Sequence, residues 1–140
     1  MDKKQFIQLS GGTEVNPDVM PEMELLAISG GVWACEDAAD SPGVVLRRWR
    51  VYEVKLPRRE MRTRHIVGYD NVLREGRVSS AVKSIDAAKM RGITESGHIY
   101  ELQGPQGPRR GWGDADYVWS RWKQLSGATD VADVTEELLK

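Results

Sequence analysis

One cysteine, Cys35, and one phenylalanine occur in the 140 residues of this chain. A single cysteine excludes an internal disulfide framework and any multi-cysteine zinc site, and it fits a reducing compartment. No stretch approaches the ~20 apolar residues that span a bilayer. The opening MDKKQFIQLSGG carries two lysines but no apolar segment of a secretory signal. A cytoplasmic location with no membrane partner is therefore expected. The HxH, HxxxH and HExxH spacings of metal sites are missing, as are the GxSxG elbow and the GK[ST] of a phosphate loop. No cofactor or metal is expected, and an enzyme is the minority reading.

What the chain does have is tryptophan, five against that one phenylalanine, together with 29% charged residues at a net charge of −1. Near neutrality argues against a surface that grips nucleic acid everywhere. The charge is segregated, however. Residues 1–43 hold eight acids and two bases, whereas residues 44–66 hold eight bases and two acids. The two segments would neutralise one another or present separate partner surfaces.

Along the chain, residues 1–17 read as a flexible arm and 18–140 as a single α+β domain. DVMPEMELLA suggests a short helix with Asp18 at its cap and Pro21 in its first turn. A short strand follows around Val32–Cys35. VVLRRWRVYEVKL (44–56) is rich in branched and aromatic residues and reads as a long strand. One face would carry Leu46, Arg48, Arg50, Tyr52, Val54 and Leu56. TRHIVGYD is its return partner across the turn PRREMR. GRVSSAVKSID, KMRGITES and HIYELQG add three short strands, with turns at Asp86–Lys89 and Glu95–Gly97. DADYVWSRWKQLSG then switches to helical spacing, with Ala115, Val118, Trp119, Trp122 and Leu125 on one stripe and Gly127 as the stop. TDVADVTEELLK reads as a weaker helix. The expected architecture is an antiparallel meander or small open barrel of about five strands, with helices on one face or end.

Each candidate site has a plainer counterpart. Asp114 and Asp116 project about 200° apart on a helix, so they cannot converge on one substrate. They suit the cap and first turn instead. His65 and His98 both fall on expected strands and would be neighbours if those strands paired. Ser79 or Ser80 beside His65 would make a nucleophile and base, and Cys35 a thiol nucleophile; buried structural roles are the simpler reading. A small-ligand or nucleotide enzyme would need a pocket, for which His65, Tyr69, His98 and Arg110 are the candidates. The basic strand pair weighs more: Arg47, Arg48, Arg50, Lys55, Arg58, Arg59, Arg62 and Arg64 lie there, interleaved with Trp49 and Tyr52. Arginine beside exposed aromatics holds single strands and RNA loops, and also marks protein-interface hot spots. In GPQGPRRGW, the residues Arg109, Arg110 and Trp112 form a second candidate recognition segment.

RHIVGY (64–69), GRVSSAV (76–82), SGHIYELQGPQG (96–107) and DADYVWSRW (114–122) together resemble a family of small proteins from proteobacterial accessory genomes, prophages and integrative elements. The resemblance covers roughly residues 44–135. Where similar sequences read SGRVY this chain reads SGHIY, placing His98 at the basic position. The family brings no assigned chemistry, so no catalytic residue is implied. It implies instead a mobile-element protein that binds and modulates a host macromolecule, such as an inhibitor of a bacterial defence system of the anti-CRISPR kind. A host protein or ribonucleoprotein complex is the expected partner. A nucleic-acid-binding regulator working through 44–66 is the alternative, and homodimerisation is open.

Overall fold

The longest strand organises the rest. In the computed structural model, which describes residues 7–8, 25–28, 31–34, 43–70, 74–104 and 114–138, β4 runs over Val44–Lys55. Its neighbours are β1 (Ile7–Gln8), β2 (Leu25–Ile28), β3 (Gly31–Ala34), β5 (Thr63–Asp70), β6 (Glu75–Val78), β7 (Val82–Asp86), β8 (Arg91–Thr94) and β9 (Ile99–Gln103). After α1 (Asp114–Ser126) come β10 (Thr129–Asp133) and α2 (Thr135–Leu138). The sheet order is β1-β3-β2-β6-β5-β4-β9-β8-β7, with β10 also on β4. This is one open, mixed sheet of ten strands, not a closed barrel, and it is more strand-rich than five meandering strands.

The pairing is antiparallel except between β4 and β9, which run parallel from Val44↔Tyr100 to Arg47↔Gln103. Two strands share that edge of β4. Its first part pairs with β9, and its last part, Tyr52 to Lys55, pairs with β10. The expected helix over 18–27 is corrected within its described part, since Leu25–Ile28 pairs with Gly31–Ala34 as a hairpin. Leu, Leu, Ala and Ile are as compatible with a buried strand as with a helix, and pairing on both edges decides. The expected C-terminal helix is also corrected: only Thr135–Leu138 is helical. Thr129–Asp133 instead fills the edge of β4 that β9 leaves open. Ile7–Gln8, within the expected arm, pairs with Trp33 and Ala34. Cys35 and Asp18 lie outside the described residues.

A bulge in β4 sets where everything points. Arg47 and Arg50 are three residues apart, yet their β5 partners Tyr69 and Val67 are only two apart. The extra residue is absorbed at Arg48, whose φ is +51°. Before the bulge Val44 and Leu46 face the inner core; after it Trp49 and Val51 do so, while Tyr52, Val54 and Leu56 face α1. The single face expected to carry both Leu46 and Tyr52 is therefore corrected: the two look to opposite sides. Gly68 allows the bulge to close, because a Cβ there would stand 3.1 Å from Leu46 Cβ and 3.2 Å from the Arg47 carbonyl oxygen.

Two cores result. α1 follows the expected stripe, burying Ala115, Val118, Trp119 and Trp122 against Tyr52, Val54, Leu56, Val67 and Val78. Tyr52 stacks on Trp119 at 4.7 Å between centroids, and Trp119 on Trp122 at 5.4 Å. Gly127, at φ +74°, ends the helix where a left-handed residue is needed. On the other side the sheet curls over itself. β8 approaches β5 closely enough that a Cβ on Gly92 would meet Ile66 Cδ1 at 2.8 Å. That concave side encloses Leu46, Trp49, Val51, Ile66, Tyr100 and Leu102, with Leu138 of α2 packed against them.

Candidate functional site: the uncovered convex face

The basic strand pair is largely occupied by its own acids. Arg50 is 3% exposed and donates to Asp133 Oδ2 at 2.6 Å and Glu136 Oε2 at 2.9 Å. Burial alone would lower its pKa; the hydrogen bonds to Asp133 and Glu136 outweigh that and raise it. Arg59 makes a two-pronged contact with Glu95, at 2.9 and 3.3 Å. Arg62 and Arg64 share Glu53, at 2.8 and 3.0 Å. Their donated hydrogen bonds hold that carboxyl below its usual range. Arg62 also reaches the Asp130 carbonyl, and Arg64 the Glu137 carboxylate. Arg58 is exposed in the β4–β5 turn and has interactions of its own. The acids doing this within the described residues come from the middle and end of the chain. Trp49 and Tyr52, expected between the arginines as stacking platforms, are instead 2% and 8% exposed. The bulge and the two cores take them inside.

The histidines do not form a pair. β5 and β9 are separated by β4, and His98 precedes β9 rather than lying on it. His65 is fully buried, tilted against Trp122 at 4.4 Å. Its Nδ1–H donates to the Ser79 carbonyl at 3.0 Å, which leaves Nε2 to accept from Thr63 Oγ1 at 2.8 Å. Burial pushes its pKa down to about 4, so the ring is neutral near pH 7. Ser79 Oγ is engaged elsewhere, accepting from Ile66 N–H and donating to the Ser80 carbonyl. It is no nucleophile for His65. His98 Nδ1 lies 3.1 Å from Ser96 Oγ, which in turn touches Ser80 Oγ and Thr94 Oγ1, both at 3.0 Å. This hydroxyl cluster ties the turn before β9 to the segment after β6. A narrow recess lined by Trp49, Val51, Ile85, Ala87, Met90, Leu102 and Leu138 has room for about one water molecule. Neither histidine nor Tyr69 lines it.

A buried ionic group was not legible in advance. Arg77 donates to Tyr100 Oη at 3.1 Å, sits 5.8 Å over that ring, and lies 4.0 Å from Asp70. Asp70 and Glu75 face one another in the β5–β6 register and are buried with it. Closed to solvent, the group pins β6 to β9 across the concave side.

What stays open is the convex face beyond α1. α1 packs on β2, β5 and β6 and on the last part of β4. The first part of β4 continues into β9, β8 and β7 with its outer side in solvent. Ile93 and Ile99 are cross-strand partners there, 41% and 45% exposed. The next row holds Asp86, Arg91, Glu101 and Val45, with Arg91 3.8 Å from Glu101. Then Gln103, Arg47 and Tyr69 lie side by side across three neighbouring strands. Arg48, in the bulge, follows Arg47 in the chain. Arg47, Arg48 and Gln103 are exposed and Tyr69 half-buried. Among the described residues neither Arg47 nor Arg48 has a carboxylate partner. Of the expected site residues, the structure thus brings Arg47 and Tyr69 into register, with Arg48 next along the strand. Ile93, Ile99 and Gln103 were missed, although inward Tyr100 and Leu102 imply that Ile99 and Gln103 point outward by strict alternation. Arg109, Arg110 and Trp112 lie outside the described residues, between Gly104 and α1.

Set against family models, curated proteins and solved structures, the chain finds no match. Among the described residues no helix is long and apolar enough to cross a membrane, and no group of three or more His, Cys, Asp or Glu side chains is placed to hold a metal.

Proposed function

We propose that this is a non-enzymatic binding protein that acts through its convex sheet face on a macromolecular partner, a protein surface. The observation that carries this reading is the cross-strand Ile93–Ile99 pair, left in solvent on a mixed-charge face. Adjacent apolar side chains of this size supply the buried centre of a protein interface, and arginine and tyrosine at its margin supply the anchors. The nucleic-acid alternative loses its stacking rings, because Trp49 and Tyr52 are interior, and most of its phosphate contacts, because the arginines already hold carboxylates.

The resemblance to mobile-element proteins extends the proposal to its finer form. The partner is then a host protein or ribonucleoprotein complex, such as a component of a bacterial defence system. The test is capture from an extract of the native cells with the protein as bait. The parent retains a defined partner, an Ile93→Asp/Ile99→Asp variant does not, and a Ser120→Arg control on exposed α1 does. Equal retention by all three would overturn the reading.

A further inference from the structure

Resting on that reading, we propose that the β4 bulge is the docking point for an acidic segment of the partner protein. Its carboxylates meet Arg47 and Arg48, and an apolar side chain further along reaches Ile93 and Ile99. The charge bookkeeping points this way. Arg50, Arg59, Arg62, Arg64 and Arg91 each have a carboxylate within the chain, whereas consecutive Arg47 and Arg48 are exposed with none among the described residues. The backbone supports it as well. Arg48 holds φ +51°, a conformation that costs an arginine what it would not cost a glycine. The bulge takes Arg48 out of the regular alternation of β4 and leaves it exposed, next in the chain to exposed Arg47.

The surroundings suit a carboxylate. Tyr69, Arg47 and Gln103 are in register on adjacent strands, so a phenol, a guanidinium and an amide start from backbone positions about 5 Å apart. Arginine binds carboxylates through two parallel hydrogen bonds, and neighbouring donors fix the approach. From Gln103 back to Ile99 is four residues of β9, about 13 Å. An extended segment with an apolar residue about four positions from its acids spans that distance. A polyanion fits less well, since Glu101 and Asp86 lie between the two ends and Ile93 and Ile99 offer nothing to a phosphodiester.

The test uses fluorescence anisotropy with three labelled probes: a short peptide carrying two leucines and, four residues on, two glutamates; the same peptide with glutamines; and oligothymidylate. The glutamate peptide should bind the parent protein. Affinity should fall at least tenfold with the glutamine peptide, and likewise for Arg47→Glu/Arg48→Glu, with Arg47→Gln/Arg48→Gln in between. All variants should melt with the parent. Failure of the glutamate peptide to bind, binding indifferent to these substitutions, or tighter binding of oligothymidylate would each overturn the proposal. The extract experiment separates the two levels. Partner retention lost with Ile93→Asp/Ile99→Asp but kept with Arg47→Glu/Arg48→Glu sinks this inference alone; retention kept in both sinks the functional reading.

Discussion

Arg50 Nε donates to Asp133 Oδ2 across 2.6 Å, tying the middle of β4 to the residue that ends β10. Asp133 Oδ1 also accepts from the backbone N–H and the hydroxyl of Thr135. Thr135 Oγ1 in turn accepts from Val51 N–H at 2.9 Å. Two of these contacts clasp the C-terminal segment to β4, and the other two hold Asp133 and Thr135 to each other. Asp133→Ala takes one carboxylate from a buried guanidinium, and removal of one partner from a buried pair costs up to about 5 kcal/mol. Because Glu136 remains, a loss of about 2–3 kcal/mol is expected in urea unfolding. A loss below about 0.5 kcal/mol would mean that the clasp contributes nothing.

His65 makes stability depend on pH in a stated direction. Its folded pKa of about 4 lies below the ordinary 6.5 because burial opposes the charged ring. The unfolded chain therefore takes up a proton first. The contribution is complete above about pH 6.5 and falls away as the pH drops toward 4. Between pH 7.5 and pH 5 the linkage amounts to roughly 2 kcal/mol. Urea midpoints for the parent should fall over this window, and those of His65→Gln much less. Asp133 acts lower down. Burial would raise its pKa, but hydrogen bonds from Arg50 and Thr135 together lower it, so its contribution disappears only as the pH falls below about 4.

Gly68 and Gly92 give a paired test of packing. A methyl at Gly68 meets Leu46 Cβ and the Arg47 carbonyl, atoms fixed by the bulge itself. A methyl at Gly92 meets Ile66 Cδ1, the end of a side chain that can rotate. Gly68→Ala is expected to cost about 2–3 kcal/mol and Gly92→Ala about 1 kcal/mol, by chemical denaturation. The reverse order would contradict the bulge geometry.

The contrast between β4 and α1 explains how far the residues alone could be read. Helical spacing from Ala115 to Leu125 identified α1 and its buried tryptophans, because a long periodic stripe admits one solution. The β4–β5 pair, β8 and β9 were legible from branched residues between turn signals, whereas the one strand expected over GRVSSAVKSID is two, β6 and β7; Asp86 Oδ1 accepting from Ala88 and Lys89 N–H is the expected turn chemistry. The bulge was not. VVLRRWRV alternates poorly, and which arginine takes the left-handed residue depends on β5 and on Gly68 across the sheet. That single shift decided whether Trp49 and Tyr52 were exposed, and with it the fate of the nucleic-acid ribbon. β10 was equally illegible, since Thr129–Asp133 is a strand only because β9 stops short and leaves an edge of β4 to fill. The arginine partners followed from the same long-range pairings, which no local pattern contains.

Arg48→Gly should separate stability from binding. Glycine accepts φ +51° without the side-chain clash, so the variant is expected to gain about 1 kcal/mol in unfolding free energy. It should bind the glutamate peptide more weakly than the parent, having lost a guanidinium. A variant that loses stability would show that Arg48 is held there for packing rather than for a partner.

The most direct measurement is amide hydrogen exchange of the protein alone and bound to the partner recovered from the native extract. Protection is expected at residues 91–103 of β8 and β9 and at 45–48 of β4, with α1 unchanged. Protection confined to α1, or none on the convex face, would contradict the assignment of that face as the binding surface.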